Sequence, residues 1–180
     1  MLYFHKELKE KYKYDYNIQK EVKKKNLYKI EEGLYSDKEY VSPLEIIVKK
    51  YPNAILTNDS AFYYHDLTDV VPDYFYLATS RSHTRINNSN IKQIFIPNEL
   101  VNIGKVNIKI ENVQVNIYDK ERMLIELIRK KNQLPFDYYK EIINNYRKNI
   151  DDLDMYKIGE YISYYSNEHS LYDTLQREVF

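Results

Sequence analysis

The stretch from Thr57 to Arg81, T-N-D-S-A-F-Y-Y-H-D-L-T-D-V-V-P-D-Y-F-Y-L-A-T-S-R, forces a helix, a proline-marked break and a strand into one short ordered block. Thr57, Asn58 or Asp59 is placed to cap a helix whose apolar face is Ala61, Phe62, Tyr64 and Leu67, and Asp59 suits the positive end of the helix dipole. Val70 to Asp73, with Pro72, ends that helix. Tyr74 to Thr79 is then a run of aromatic, aliphatic and β-branched residues bounded by turn formers, which predicts a strand buried on at least one face.

The same periodicities extend in both directions. Ser42 and Pro43 signal the start of a helix over Leu44 to Tyr51 with an apolar stripe of Leu44, Ile47 and Val48, and Ala54 to Thr57 reads as a short strand. Ser80 to Asn90 is polar and reads as a loop. Strands are predicted at Ile91 to Ile96, Val106 to Ile110 and Val113 to Tyr118, the last two forming a hairpin about Glu111 and Asn112. Helices follow at Lys120 to Lys131, Asp137 to Lys148 and Leu153 to Tyr165, with a shorter one near Leu171 to Val179. Strands framed by helices argue an α+β domain in which a mixed or antiparallel sheet is covered by helices and ends in a helical C-terminus.

Ahead of this domain the chain is basic. Met1 to Lys29 holds nine lysines against four acids, a net +5, while the remainder carries 18 basic against 23 acidic residues, so the overall neutrality hides a basic head on a mildly acidic body. That split is the pattern of a nucleic-acid-binding module joined to a domain with another task, although solvated helices of a lysine-rich protein give the same count. Phe4 to Tyr12 predicts one helix, with Asp15 or Asn17 capping a second over Asn17 to Lys25, on which Ile18 and Val22 share a face. Leu27 to Ile30 and Leu34 to Ser36 then form a hairpin around Gly33. Helix, turn, helix and hairpin is the order of a short winged helix-turn-helix-like module, assigned to residues 1–38, with the α+β domain over residues 39–180. The candidate DNA contacts are Tyr16, Asn17, Gln19, Lys20, Lys23 and Lys24 on the second helix and Lys29 on the wing. The lysines would neutralise phosphates while Asn17 and Gln19 read adenine edges. The competing reading is a remnant that only packs or dimerises.

Three motifs carry a family resemblance over roughly residues 28–150. Tyr51, Pro52 and Ala54 lead a strand into Ser60, Ala61 and His65, followed by Leu67, Thr68 and Pro72; Gly33, Leu34 and Tyr35 close the N-terminal module; Glu121, Arg122 and Leu124 open a helix, with Glu126 where aspartate is more usual. These resemble the AbiEi family, the antitoxin and transcriptional-regulator half of type IV toxin-antitoxin (abortive infection, phage defence) systems. The resemblance implies a winged-helix head that binds inverted repeats in operator DNA and represses its own operon. It also implies a larger domain that counters a nucleotidyltransferase-like toxin, with or without a stable complex. Family members carry another helix ahead of the pair read here, so the resemblance also implies a shortened head.

Catalytic motifs are sparse. The chain has three glycines, no phosphate loop, no nucleophile elbow and no cysteine, so no thiolate chemistry is open to it. His65 with Asp66 and Asp69 invites a metal or acid–base reading. Helical spacing instead makes His65 a core or cap residue bonded to the chain at the Leu67 to Thr68 break. Asp119 reads as a helix cap and Arg122 as the i, i+4 partner of Glu126. Arg81, His83 and Arg85 alternate on one loop and form a possible contact loop for phosphate or a nucleic-acid backbone. No metal site, cofactor or enzymatic activity is expected, and no apolar run reaches the ~20 residues that span a bilayer, which predicts a cytoplasmic protein without membrane partners. The 21 tyrosines predict half-buried rings with hydroxyls near water. They also supply the alternative function, a protein-interaction module that no longer touches DNA and docks its partner through Tyr-rich C-terminal helices.

Overall fold

The computed structural model describes residues Met1–Phe180 as an α+β fold with eight α-helices and two sheets. The chain divides into two compact units, Met1–Pro52 and Asn53–Phe180.

The first unit begins with a strand, β1 (Leu2–Phe4), followed by α1 (His5–Tyr12), α2 (Asp15–Lys23), β2 (Tyr28–Glu31), β3 (Leu34–Ser36) and α3 (Pro43–Lys50). Its sheet is antiparallel in the order β1-β3-β2, with Gly33 at φ 75° in the tight turn of the hairpin. Phe4, expected to open the first helix, is instead the last residue of β1, opposite Leu34. Two buried clusters hold the unit together. Leu8, Ile18, Leu27 and Tyr35 form one, and Leu2, Leu34 and Val41, backed by Ile30 and Ile46, form the other. Val41 and Ile46 thus keep α3 in this unit, so the division falls at Pro52 rather than after residue 38.

The second unit contains β4 (Ile55–Leu56), α4 (Asn58–Tyr64), β5 (Phe75–Ser80), β6 (Ile91–Ile96), β7 (Lys105–Ile110), β8 (Val113–Tyr118), α5 (Lys120–Arg129), α6 (Phe136–Lys148), α7 (Met155–Ser163) and α8 (Glu168–Glu178). Its sheet runs β6-β5-β4-β8-β7 and is mixed: β5 pairs β6 in parallel and β4 pairs β8 in parallel, while β4–β5 and β7–β8 are antiparallel. Asp119 caps α5 by accepting the amide of Arg122 at 2.9 Å, as its position before the apolar run predicted. Every residue of α5 from Glu121 to Ile128 is buried, so polar and apolar faces alike are enclosed by neighbouring elements.

Two local expectations fail. No side chain caps α4, because the Thr57 hydroxyl turns to Met123 Sδ at 3.8 Å and Asn58, at φ 46°, accepts a bond from Lys130 Nζ at 2.7 Å. His65 does not bond the chain at Leu67 and Thr68; its Nε2 lies 2.6 Å from the Tyr118 carbonyl, and Asn145 Nδ2 holds the Leu67 carbonyl at 3.0 Å. No helix is long and apolar enough to cross a membrane.

Candidate functional site

On α2 the hydrophobic spacing decides what faces outward. Ile18 and Val22 turn inward against Leu8, Leu27 and Tyr35, so the positions at i, i+3, i+4 and i+7 from Tyr16 fall on the opposite face. Tyr16, Gln19, Lys20 and Lys23 are all exposed there, and none of their side chains makes a hydrogen bond or ion pair within the protein. This gives a continuous strip of one ring, one amide and two ammonium groups.

The other expected contacts are differently placed. Asn17 sits off that strip, half-buried, and donates Nδ2–H to the Tyr12 carbonyl at 2.9 Å across the turn between α1 and α2. Its amide nitrogen is therefore engaged in joining the helices. Asp15, expected as a cap, pairs with His5 Nε2 at 2.9 Å and Lys9 Nζ at 3.3 Å, and no side chain caps α2. Lys24, just past the helix, lies 3.5 Å from Glu21. Lys29 on β2 pairs with the exposed Glu32 at 2.7 Å, which raises the lysine's pKa and lowers that of the glutamate. An anion approaching Lys29 would have to displace Glu32.

The loop after β5 is anchored from below. Gln93 of β6 accepts the Ile86 amide at 2.7 Å and donates to Thr79 Oγ1 at 2.8 Å and to the Thr84 carbonyl at 3.2 Å. Arg81, His83 and Arg85 all point outward on it. His83 Nδ1 bonds the Thr84 carbonyl at 2.8 Å, whereas both guanidinium groups lack an acidic partner.

In the interior of the second unit, a buried polar network surrounds α5. Arg122, 1% exposed, pairs with Glu126 at 3.0 Å and lies 5.4 Å from the centres of both the Tyr118 and Tyr165 rings. Its Nε and Nη1 have no hydrogen-bond partner. Glu126 also receives Arg129 and the Tyr165 hydroxyl, each at 3.1 Å, and Asp119 receives the Tyr161 hydroxyl at 2.9 Å. Burial pushes the Asp119 carboxyl above its ordinary range, opposed by the bonds from the Arg122 amide and Tyr161. The hydroxyls expected near water are thus bonded inside: Tyr146 reaches the Lys120 carbonyl at 2.8 Å and Tyr139 reaches Glu178 at 2.6 Å. Of the tyrosines on the last two helices and their linker, Tyr156, Tyr164 and Tyr172 remain exposed, while Tyr161 and Tyr165 are buried.

His65, Asp66 and Asp69 do not converge, and no group of three or more histidine and acidic side chains is arranged to hold a metal ion. His65 is held below its ordinary pKa by burial, an effect partly offset by its bond to the Tyr118 carbonyl. No protein-family model matches the chain, and no curated protein matches it.

Proposed function

We propose that the chain is a cytoplasmic antitoxin and transcriptional autorepressor of the AbiEi type, acting without catalysis of its own. In this reading the first unit is a winged helix that binds inverted-repeat operator DNA through α2. The second unit counters a nucleotidyltransferase-like toxin, and that activity does not require a stable complex. The observation that carries the reading is the free strip of Tyr16, Gln19, Lys20 and Lys23 on a helix whose opposite face is locked into a core. A helix used only for packing gains nothing from aligning two unpaired ammonium groups with an amide and a ring, whereas a groove-binding helix uses all four: lysines against phosphates, and glutamine against a base edge. The β2–β3 hairpin that follows, closed by β1, supports the wing assignment and carries Lys29.

The test uses the full chain and a fluorescent duplex from immediately upstream of its own gene. Binding should weaken steeply as salt rises, and changing Lys20, Lys23 and Lys24 together to Ala should weaken binding to all sequences and flatten the salt dependence by about two to three counterions. In cells carrying an adjacent nucleotidyltransferase-like gene, the same triple variant should still rescue growth, because the antitoxin role is assigned to the second unit. Absence of binding at low salt would remove the DNA claim, and loss of rescue in the triple variant would move the antitoxin role to the first unit.

A further inference from the structure

In the second unit, the link between α4 and β5 forms one wall of an open groove of about 360 Å³. Val70 and Val71, 51% and 68% exposed, lead into Pro72, and Leu134 and Pro135 stand opposite, so much of the lining is apolar and wet. Three phenol rings, those of Tyr74, Tyr76 and Tyr138, come from β5, its leading residue and α6. Asp59, in the first turn of α4, accepts the Tyr138 hydroxyl at 3.3 Å. Ser60 fixes the strand beside it, donating to the Tyr74 carbonyl at 3.3 Å and accepting the Tyr76 amide at 2.9 Å.

The groove already contains a cation of its own. Lys92, opposite Tyr76 in the parallel β5–β6 pair, places Nζ 4.2 Å from the Tyr74 ring centre and 5.4 Å from that of Tyr76, and donates to the Tyr76 hydroxyl at 3.4 Å. Lys92 is exposed, and its long flexible stem lets the ammonium leave the rings while staying in water. The charged residues lining the groove are Asp59, Asp73 and Lys92, so removing the lysine leaves two carboxylates beside three rings. A smaller groove of about 200 Å³, lined by Tyr63, Tyr64 and Asn90, shares the ridge from Val71 to Phe75, which extends the surface beyond a single side chain.

We propose that this groove docks a basic, partly apolar polypeptide segment, seating a lysine or arginine side chain against the Tyr74, Tyr76 and Tyr138 rings in place of Lys92, next to Asp59 and Asp73. Charge complementarity selects this occupant. An anionic peptide or nucleic-acid backbone would meet two aspartates and a single mobile lysine. A cation gains the ring faces and the carboxylates together, and its neighbouring residues cover Val70, Val71 and Pro135. The site does not depend on DNA binding by α2.

The experiment is an amide-resolved NMR titration of the full-length protein with acetyl-Leu-Arg-Leu-amide, and in parallel with acetyl-Leu-Glu-Leu-amide and a ten-residue thymidine oligonucleotide. The arginine peptide should give saturable shifts centred on Asp59, Tyr74, Tyr76 and Lys92, and the glutamate peptide none. Tyr74→Leu, which keeps the apolar surface and loses the ring, and Asp73→Asn, which changes an exposed side chain with no partner, should each weaken binding about threefold. Lys92→Ala should tighten it by a similar factor because the internal competitor is gone. Four results would overturn the proposal: no saturable shifts, equal binding by the glutamate peptide, binding unchanged in Tyr74→Leu and Asp73→Asn, or oligonucleotide shifts on these same residues.

Discussion

Gly104 and Arg122 lie so close that a Cβ added to the glycine would stand 2.6 Å from the Cβ of Arg122 and 3.0 Å from Asp119 Oδ1. Gly104 also accepts the Asp119 amide at 2.7 Å and sits at φ 71°, so this one residue permits both the turn before β7 and the close seating of α5. Gly104→Ala should therefore cost roughly 2 to 4 kcal/mol, combining the left-handed backbone penalty with overpacking. Urea unfolding measures this; Gly33→Ala, where nothing lies within 4 Å of the added carbon, isolates the backbone share.

Removing the buried guanidinium should be more damaging than removing the whole ion pair. Arg122→Ala leaves Glu126 with Arg129 and Tyr165 alone and opens a cavity beside two rings, a loss of roughly 3 to 5 kcal/mol. Arg122→Met combined with Glu126→Gln keeps an acceptor for Tyr165 and discards the charges, and should recover at least half of that loss. A double variant as unstable as Arg122→Ala would show that the charge pair itself sustains the fold.

Asn17 and Gln19 should separate structure from recognition. Asn17→Ala breaks the bond to Tyr12 and should lower stability by about 1 kcal/mol. Gln19→Ala should leave the melting temperature unchanged and narrow the preference for operator over random DNA by roughly 1 to 3 kcal/mol. If Gln19→Ala leaves that preference intact, base reading by α2 is wrong.

His65 gives the fold a defined pH response. Its pKa is lower folded than unfolded, so its contribution is complete above the unfolded value of about 6.5 and is lost as pH falls through the lower folded value. His65→Gln should cost about 1 to 3 kcal/mol near pH 8, and the gap to the parent should narrow by about pH 5. Unfolding midpoints of both proteins across that range check it; a gap that widens in acid reverses the sign assigned to the histidine.

Arg81→Ala with Arg85→Ala should change stability by less than about 0.5 kcal/mol, since neither guanidinium has a partner. A growth-rescue assay on the same variant then reports function alone. Lost rescue would make this loop the antitoxin surface, and retained rescue would discard it.

What the sequence disclosed follows the range over which each interaction acts. Strands β6 and β8 coincide with Ile91 to Ile96 and Val113 to Tyr118 because alternation is written in the strand itself, and Asp119 announces α5 because capping is a contact over three residues. β1 stayed hidden. Its three residues carry no period, and its partner Leu34 lies across two helices. The parallel pairing of β5 with β6 and of β4 with β8 is likewise invisible to local pattern. On α2 the exposed strip is readable from Ile18 and Val22, but the amide of Asn17 reads as a DNA contact because nothing in the spacing reveals that it bonds the Tyr12 carbonyl across the turn. The aromatic groove joins residues as distant as Asp59 and Tyr138, so no single stretch announces it.

The bonds from Tyr161 to Asp119 and from Tyr165 to Glu126 also set an order of events during synthesis. All the strands of the second unit and the whole of α5 leave the ribosome before either phenol exists. Until Tyr165 has emerged, Glu126 lacks its hydroxyl donor and rests on Arg122 and Arg129 alone. The polar network of the second unit is therefore complete only once α7 and Tyr165 have been made. A chain that ends within α7 lacks the Tyr165 hydroxyl that closes the Glu126 end of this network.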